Sequence, residues 1–124
     1  MNIQVLQSLY AKEPQVGALV QALENKSVKT IFLEGLVASS VPMVFSSLYP
    51  VIESKQENKF TFLFILGGAD EAGYFYHDLT QVLGEEKVLF FPSSFRRSVK
   101  YAQRDSANEI LRTEVLSRLA AADK

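Results

Sequence analysis

A run of seven residues, 60–66, constrains the fold of this chain more than any other feature. Its sequence, Phe-Thr-Phe-Leu-Phe-Ile-Leu, is almost entirely apolar, and Gly67 and Gly68 close it. Because successive side chains of a strand point to opposite sides, a strand that is apolar throughout buries both of its faces. Such strands occur in parallel sheets that helices cover on both sides. The run therefore predicts a central strand of an α/β fold.

Two more strands are predicted, at residues 29–34 before Gly35 and at residues 88–91 before Pro92. Helical patterns alternate with the three strands and indicate four helices. These helices are expected over Pro14–Glu24, from Ser39 or Ser40 onward, over Ala69–Leu83 and over residues 105–122. The order α-β-α-β-α-β-α is typical of βαβ units. We therefore expect an α/β fold, a three-layer arrangement in which a parallel sheet carries helices on both faces.

Local sequence signals predict where individual helices begin, kink or end and which side chains they bury. Pro42 is expected in the first turn of the second helix, where a missing N–H costs nothing, and Pro50 is expected to kink that helix or end it early. Gly84 is expected to end the third helix. In the last helix five apolar side chains are expected to face inward: Ala107, Ile110, Leu111, Val115 and Leu119.

A single domain, residues 1–124, is expected, because the chain contains no internal repeat and no linker. Three strands are few for a sheet covered on both sides. The chain also ends directly after a helix, where such folds return to another strand. We therefore expect a truncated fold, the first part of a longer protein.

Composition excludes several classes of protein. The chain contains no Cys, which excludes disulfide scaffolds, thiolate zinc sites and thiol nucleophiles, and no metal site is expected. No apolar run approaches the roughly 18 residues of a membrane span, and the N-terminus lacks the basic and apolar regions of a signal peptide. We expect a soluble, cytoplasmic protein.

The loop at residues 35–42 has the position of a phosphate-binding loop, which reads G-x-x-x-x-G-K-S/T. Gly35 matches the first glycine, but the segment Ser39-Ser40-Val41-Pro42 places Ser40 at the second glycine, Val41 at the lysine and Pro42 at the Ser/Thr. These replacements remove the loop geometry, the cation that reaches the phosphates and the Mg²⁺ ligand. Two interpretations stay open, an ordinary turn or a degenerate phosphate loop. A working nucleotide site is disfavoured, so neither a catalytic residue nor a cofactor is expected in this segment.

Residues 88–104 form a basic region without acidic side chains. The region has a local charge of +4 in a chain of net charge −1, so the other residues carry −5. Phe95 and Tyr101 lie among the cations, and cations beside stacking aromatics are typical of single-strand binding. Three interpretations stay open: a solvated loop, a protein contact, or a nucleic-acid contact, although the net charge argues against strong independent DNA binding. The candidate contact residues are Arg96, Arg97, Lys100 and Arg104.

Polar residues of the third predicted helix have structural interpretations. His77, the only histidine, has no partner at the spacing of metal ligands and is expected on the helix surface. Asp70 and Glu71 are expected to cap the start of the helix, where the helix dipole favours negative charge.

Four segments, in order, resemble one known family. Residues 31–40, which include the degenerate loop, are similar to the start of bacterial transcription-repair coupling factors (Mfd). The N-terminal module of that family resembles the UvrB excision-repair helicase but lacks its Walker A motif. Residues 62–83 resemble the second strand and helix of that module, 90–92 its Leu/Phe-Pro segment, and 112–119 its R-x-x-x-L-x-x-L helix.

The resemblance implies a UvrB-like subdomain with a fold like that of the P-loop NTPases. It implies a parent protein that removes stalled RNA polymerase, recruits UvrA mainly through an adjacent subdomain, and translocates on DNA with ATP and Mg²⁺ in its C-terminal motor domains.

For this segment the resemblance implies a non-catalytic module that supports UvrA recruitment and interdomain regulation of the translocase. Other domains of the full-length chain would be its partners, and no membrane is involved. The resemblance transfers no catalytic residue and no UvrA-contacting residue. The alternative function is a nucleic-acid-binding α/β module that uses the basic loop Arg96–Arg104.

Overall fold

The computed structural model describes residues 2–55, 60–93 and 106–122. Five helices lie in these ranges: α1 (Ile3–Lys12), α2 (Pro14–Glu24), α3 (Ser40–Lys55), α4 (Ala69–Leu83) and α5 (Ser106–Ala122). None of the helices found there is long and apolar enough to cross a membrane.

The predicted α/β fold with a three-layer parallel sheet is wrong, because the described residues contain helices and no strand. The UvrB-like fold, similar to that of the P-loop NTPases, which the family resemblance implies, is wrong for the same reason. The three predicted strands, at 29–34, 60–66 and 88–91, are non-helical, and no backbone hydrogen bond between described residues joins one to another. The apolar run predicted a strand from local pattern alone, whereas a sheet also needs ladder hydrogen bonds to distant segments. A parallel sheet further needs cover on both faces, and Leu63 and Ile65 are 81% and 88% exposed.

Helix α2 has the predicted bounds. Pro14 lies at its start, where the fixed backbone angle of proline suits the first turn. Val16, Leu19 and Val20 on one face are buried, as their spacing indicates.

Helix α1 was not predicted from the sequence. Asn2 caps it, since the Oδ1 atom of Asn2 accepts a hydrogen bond from the Gln4 backbone N–H at 3.1 Å. The helix buries no side chain completely, yet it packs against both α2 and α3. Glu13 forms the short joint between α1 and α2, with its N–H bonded to the Tyr10 carbonyl.

Helix α3 is the centre of the fold and packs against α1, α2 and α4. Pro50 does not end it early, because the helix continues to Lys55. Proline cannot donate to the carbonyl four residues earlier, which belongs to Ser46. The side chain of Gln7 in α1 donates to that carbonyl instead, with 3.1 Å between Nε2 and O. The core of the fold lies between α2 and α3 and consists of Val16, Leu19, Val20, Val44, Leu48 and Ile52.

Helix α4 also has its predicted bounds, and Gly84 ends it with a φ of +91°. Residues 60–66 lie beside α3 and α4 and alternate between half-buried and exposed positions, the pattern of an extended chain. Their half-buried phenylalanines contact rings of both helices: Phe64 is 5.0 Å from Phe45 of α3 and 4.9 Å from Phe75 of α4, between ring centroids.

Helix α5 lies against the segment that precedes residue 94. The Arg112 guanidinium lies 4.1 Å from the centre of the Phe91 ring, and its Nη1 donates to the Pro92 carbonyl at 3.0 Å. Leu111 and Val115 are half-buried, but the prediction that Ile110 and Leu119 face inward is wrong, because these side chains are 69% and 40% exposed.

Candidate functional site

The loop before α3 holds the strongest candidate site of the sequence. Gly35 and Ala38 both have positive φ angles, +82° and +49°. The Val37 N–H donates to the Ser40 hydroxyl at 2.7 Å, and the Ser40 N–H donates back to the Val37 carbonyl at 3.0 Å. These reciprocal bonds form a tight turn closed by its own side chain. The turn fixes the direction in which α3 begins.

An acidic side chain from α4 lies directly beside this turn. The Ser39 hydroxyl donates to Oδ2 of Asp78 at 2.8 Å, across 39 residues of sequence. The carbonyl of Ser39 accepts the Met43 N–H of the first turn of α3, so Ser39 stands at the helix start. The positive end of the α3 dipole therefore faces a carboxylate of the protein itself.

This arrangement opposes the binding of a phosphate. A phosphate-binding loop presents N–H groups and a lysine to the anion. Here Pro42 lacks an N–H, Val41 lacks a charge, and Asp78 places negative charge at the loop. Two unit charges of the same sign about 4 Å apart repel by about 4 kcal/mol at the effective dielectric near a protein surface. In the structure the loop holds the start of α3 to α4 through the Ser39–Asp78 hydrogen bond.

The four basic candidate residues lie outside the described residues. Arg96, Arg97, Lys100 and Arg104 all fall within 94–105, as do Phe95 and Tyr101. The part of the basic region that is described ends at Ser93.

The polar residues of α4 have structural partners or an exposed position. Asp70 and Glu71 lie in the first turn of α4, but neither side chain makes a capping hydrogen bond at Gly68, so the predicted capping is wrong. Oε2 of Glu71 instead accepts the N–H of Gly67, the residue before the N-cap, at 3.0 Å. His77 is exposed, and its carbonyl accepts the Thr80 hydroxyl at 2.7 Å. Within 2–55, 60–93 and 106–122, no group of His, Asp and Glu has the arrangement of a metal site.

A small groove between α4, α5 and residues 85–90 was not found from the sequence. Its volume is about 180 Å³. Pockets that hold small molecules usually span about 300–1,000 Å³, so this groove is small for such a ligand. The Arg118 guanidinium at its rim donates to the Glu86 carbonyl at 2.6 Å, which ties α5 to the loop after α4. The groove is lined by Tyr76, Glu85, Val88, Leu89, Phe90, Leu111, Glu114, Val115 and Arg118.

Comparison of the chain with known protein families, with curated proteins and with solved structures gives no match.

Proposed function

We propose that this chain is a non-catalytic interaction module. The observation that carries the proposal is the hydrogen bond between Ser39 and Asp78 at the start of α3. The loop at residues 35–42 follows no strand in the described part of the chain, and this bond uses it to join the start of α3 to α4. A loop that joins two helices through its own side chain supports a role in architecture.

The resemblance to transcription-repair coupling factors supports a more specific role for this module. In that role the chain is the N-terminal module of a transcription-coupled DNA repair factor. The factor acts in the cytoplasm, and the absence of Cys agrees with that compartment. The module holds the adjacent subdomain that docks UvrA and restrains a C-terminal ATP-dependent DNA translocase. RNA polymerase and DNA are partners of the parent protein, and ATP and Mg²⁺ belong to its motor.

Titration calorimetry with ATP and Mg²⁺ tests the absence of catalytic function. We expect no binding heat, because the loop supplies neither a lysine nor a free anion site. Val41→Glu is the matched variant, since it adds a second negative charge to the same loop. Micromolar binding by the natural chain that Val41→Glu abolishes would contradict the proposal and locate a nucleotide at this loop.

The reading frame beyond Lys124 tests the proposed family. The proposal expects the gene to continue into a UvrA-docking subdomain and then into intact helicase motifs. A stop codon directly after Lys124, or a continuation without helicase motifs, would contradict the assignment. This test is independent of nucleotide binding by the loop.

A further inference from the structure

Residues 60–66 present an exposed apolar face and backbone groups that no described residue pairs. Phe62 and Phe64 contact aromatic rings of α3, whereas Leu63 and Ile65 on the opposite side are 81% and 88% exposed. The backbone groups of residues 60–66 form no hydrogen bond with other described residues. An extended segment of this kind is a template for pairing with another strand.

We propose that this edge pairs with the same edge of a second copy of the chain, in antiparallel orientation about a two-fold axis at Leu63. The segment contains no charged residue, no Pro and no Gly, so it lacks the charges and the proline by which many natural edges resist pairing. The net charge of −1 also gives little repulsion between copies. Both properties favour a second copy over a charged partner.

The segment is complementary to itself in this register. A two-fold axis at Leu63 places Leu63 opposite Leu63 of the second copy and Thr61 opposite Ile65. On the other side, Phe62 meets Phe64 of the second copy. Each exposed apolar side chain thereby gains a cross-strand neighbour, and each backbone edge gains a ladder of hydrogen bonds. A contact about a two-fold axis uses the same edge of both copies, so this contact by itself joins two copies.

Sedimentation equilibrium over a range of concentrations tests the dimer. We expect the natural chain to dimerise reversibly. Leu63→Lys places two like charges opposite each other and is expected to weaken the dimer about tenfold. Ile110→Lys is the matched control, because Ile110 is equally apolar and 69% exposed but lies on α5. It should leave the dimer unchanged. Both side chains are exposed, so circular dichroism should show the same helix content in both variants.

Cross-linking tests the register, because the chain contains no Cys of its own. In the proposed pairing the Cα atoms of the two Leu63 residues are about 4.5–5.5 Å apart, within the range of a disulfide. Leu63→Cys should therefore oxidise to a covalent dimer. Ile65→Cys should not, because the two Ile65 residues would be separated by four residues along the strands, about 13 Å. Adding Thr61→Cys to Ile65→Cys should restore cross-linking.

Three results would overturn the proposal. The first is a natural chain that stays monomeric at every concentration. The second is equal cross-linking of Leu63→Cys and Ile65→Cys, which indicates parallel or non-specific contact. The third is growth beyond the dimer into fibrils, which indicates open stacking of the segment.

Discussion

At the scale of single residues, the contact between Gln7 and Ser46 explains how α3 tolerates a proline. Pro50 leaves the Ser46 carbonyl without its helical donor, and Ser46 is fully buried. A buried carbonyl without a partner costs about 1–3 kcal/mol, so the amide of Gln7 is needed there. The proline in α3 thus creates one of the contacts that tie α1 to the fold.

Gln7→Leu should lower the free energy of unfolding by about 1–2 kcal/mol, since it removes the donor to the Ser46 carbonyl. Urea unfolding measures the loss. In a Pro50→Ala background the new backbone N–H supplies a helical donor, so Gln7→Leu should cost clearly less there. Equal costs in the two backgrounds would show that the proline and the glutamine are not coupled.

Ser39, just before α3, donates a hydrogen bond to Asp78 of α4. Asp78→Asn keeps the shape of the side chain but removes the charge near the start of α3, and we expect a loss of about 0.5–1 kcal/mol. The loss should shrink at high salt, because the site is open to solvent. Thermal unfolding at low and high ionic strength measures it. Ser39→Ala is the control for the hydrogen bond alone, and its effect should depend little on salt.

At the scale of elements, local sequence signals predict the bounds of two helices, α2 and α4. Pro14, the apolar spacing of Val16, Leu19 and Val20, and Gly84 predict the bounds of α2 and α4, and the structure confirms them. Helix α1 was missed although its ends carry local signals, since Asn2 caps its start and Pro14 follows its end. The predicted strands were wrong because strand pairing depends on distant segments of the chain. The apolar run at residues 60–66 indicates only a local preference for extended backbone.

The candidate site at residues 35–42 also combines features that local sequence predicts with a contact that it does not predict. The replacements at Ser40, Val41 and Pro42 predict from sequence alone that the loop lacks phosphate ligands. Asp78 is 39 residues away along the chain from Ser39, and no local pattern indicates that the two meet. The lack of phosphate ligands therefore stays a prediction from sequence, whereas the Ser39–Asp78 contact could be found only in the structure.

Two glycines of α4 should respond to alanine in opposite directions. Gly84 ends the helix at a φ of +91° and a ψ of 152°, a conformation that costs a side chain about 1–3 kcal/mol. Gly84→Ala should therefore destabilise the fold. Gly73 lies inside the helix with open space around its Cα, so Gly73→Ala should stabilise the fold by about 0.5–1 kcal/mol. Chemical denaturation of the pair measures both effects, and a loss of stability in both variants would contradict the assigned ends of α4.

At the scale of the whole molecule, the distribution of charge matters more than its sum. The sequence concentrates Arg96, Arg97, Lys100 and Arg104 in one stretch, while the remainder of the chain carries −5. An acidic remainder repels the phosphate backbone that the basic stretch attracts. The two proposed roles differ here, since an architectural module needs no affinity for nucleic acid.

We expect the chain to form no stable complex with single-stranded DNA at about 150 mM salt, because affinity falls steeply with salt when only a few phosphates are neutralised. A gel shift at low and physiological salt measures this.

Any weak binding at low salt should disappear in Arg96→Glu/Arg97→Glu. The matched control is Lys26→Glu/Lys29→Glu, which changes the net charge equally at two exposed positions outside the basic stretch. A complex that survives physiological salt and is lost only with the Arg96 and Arg97 changes would favour the nucleic-acid-binding alternative over the architectural module. Equal loss in both double variants would instead reflect net charge alone.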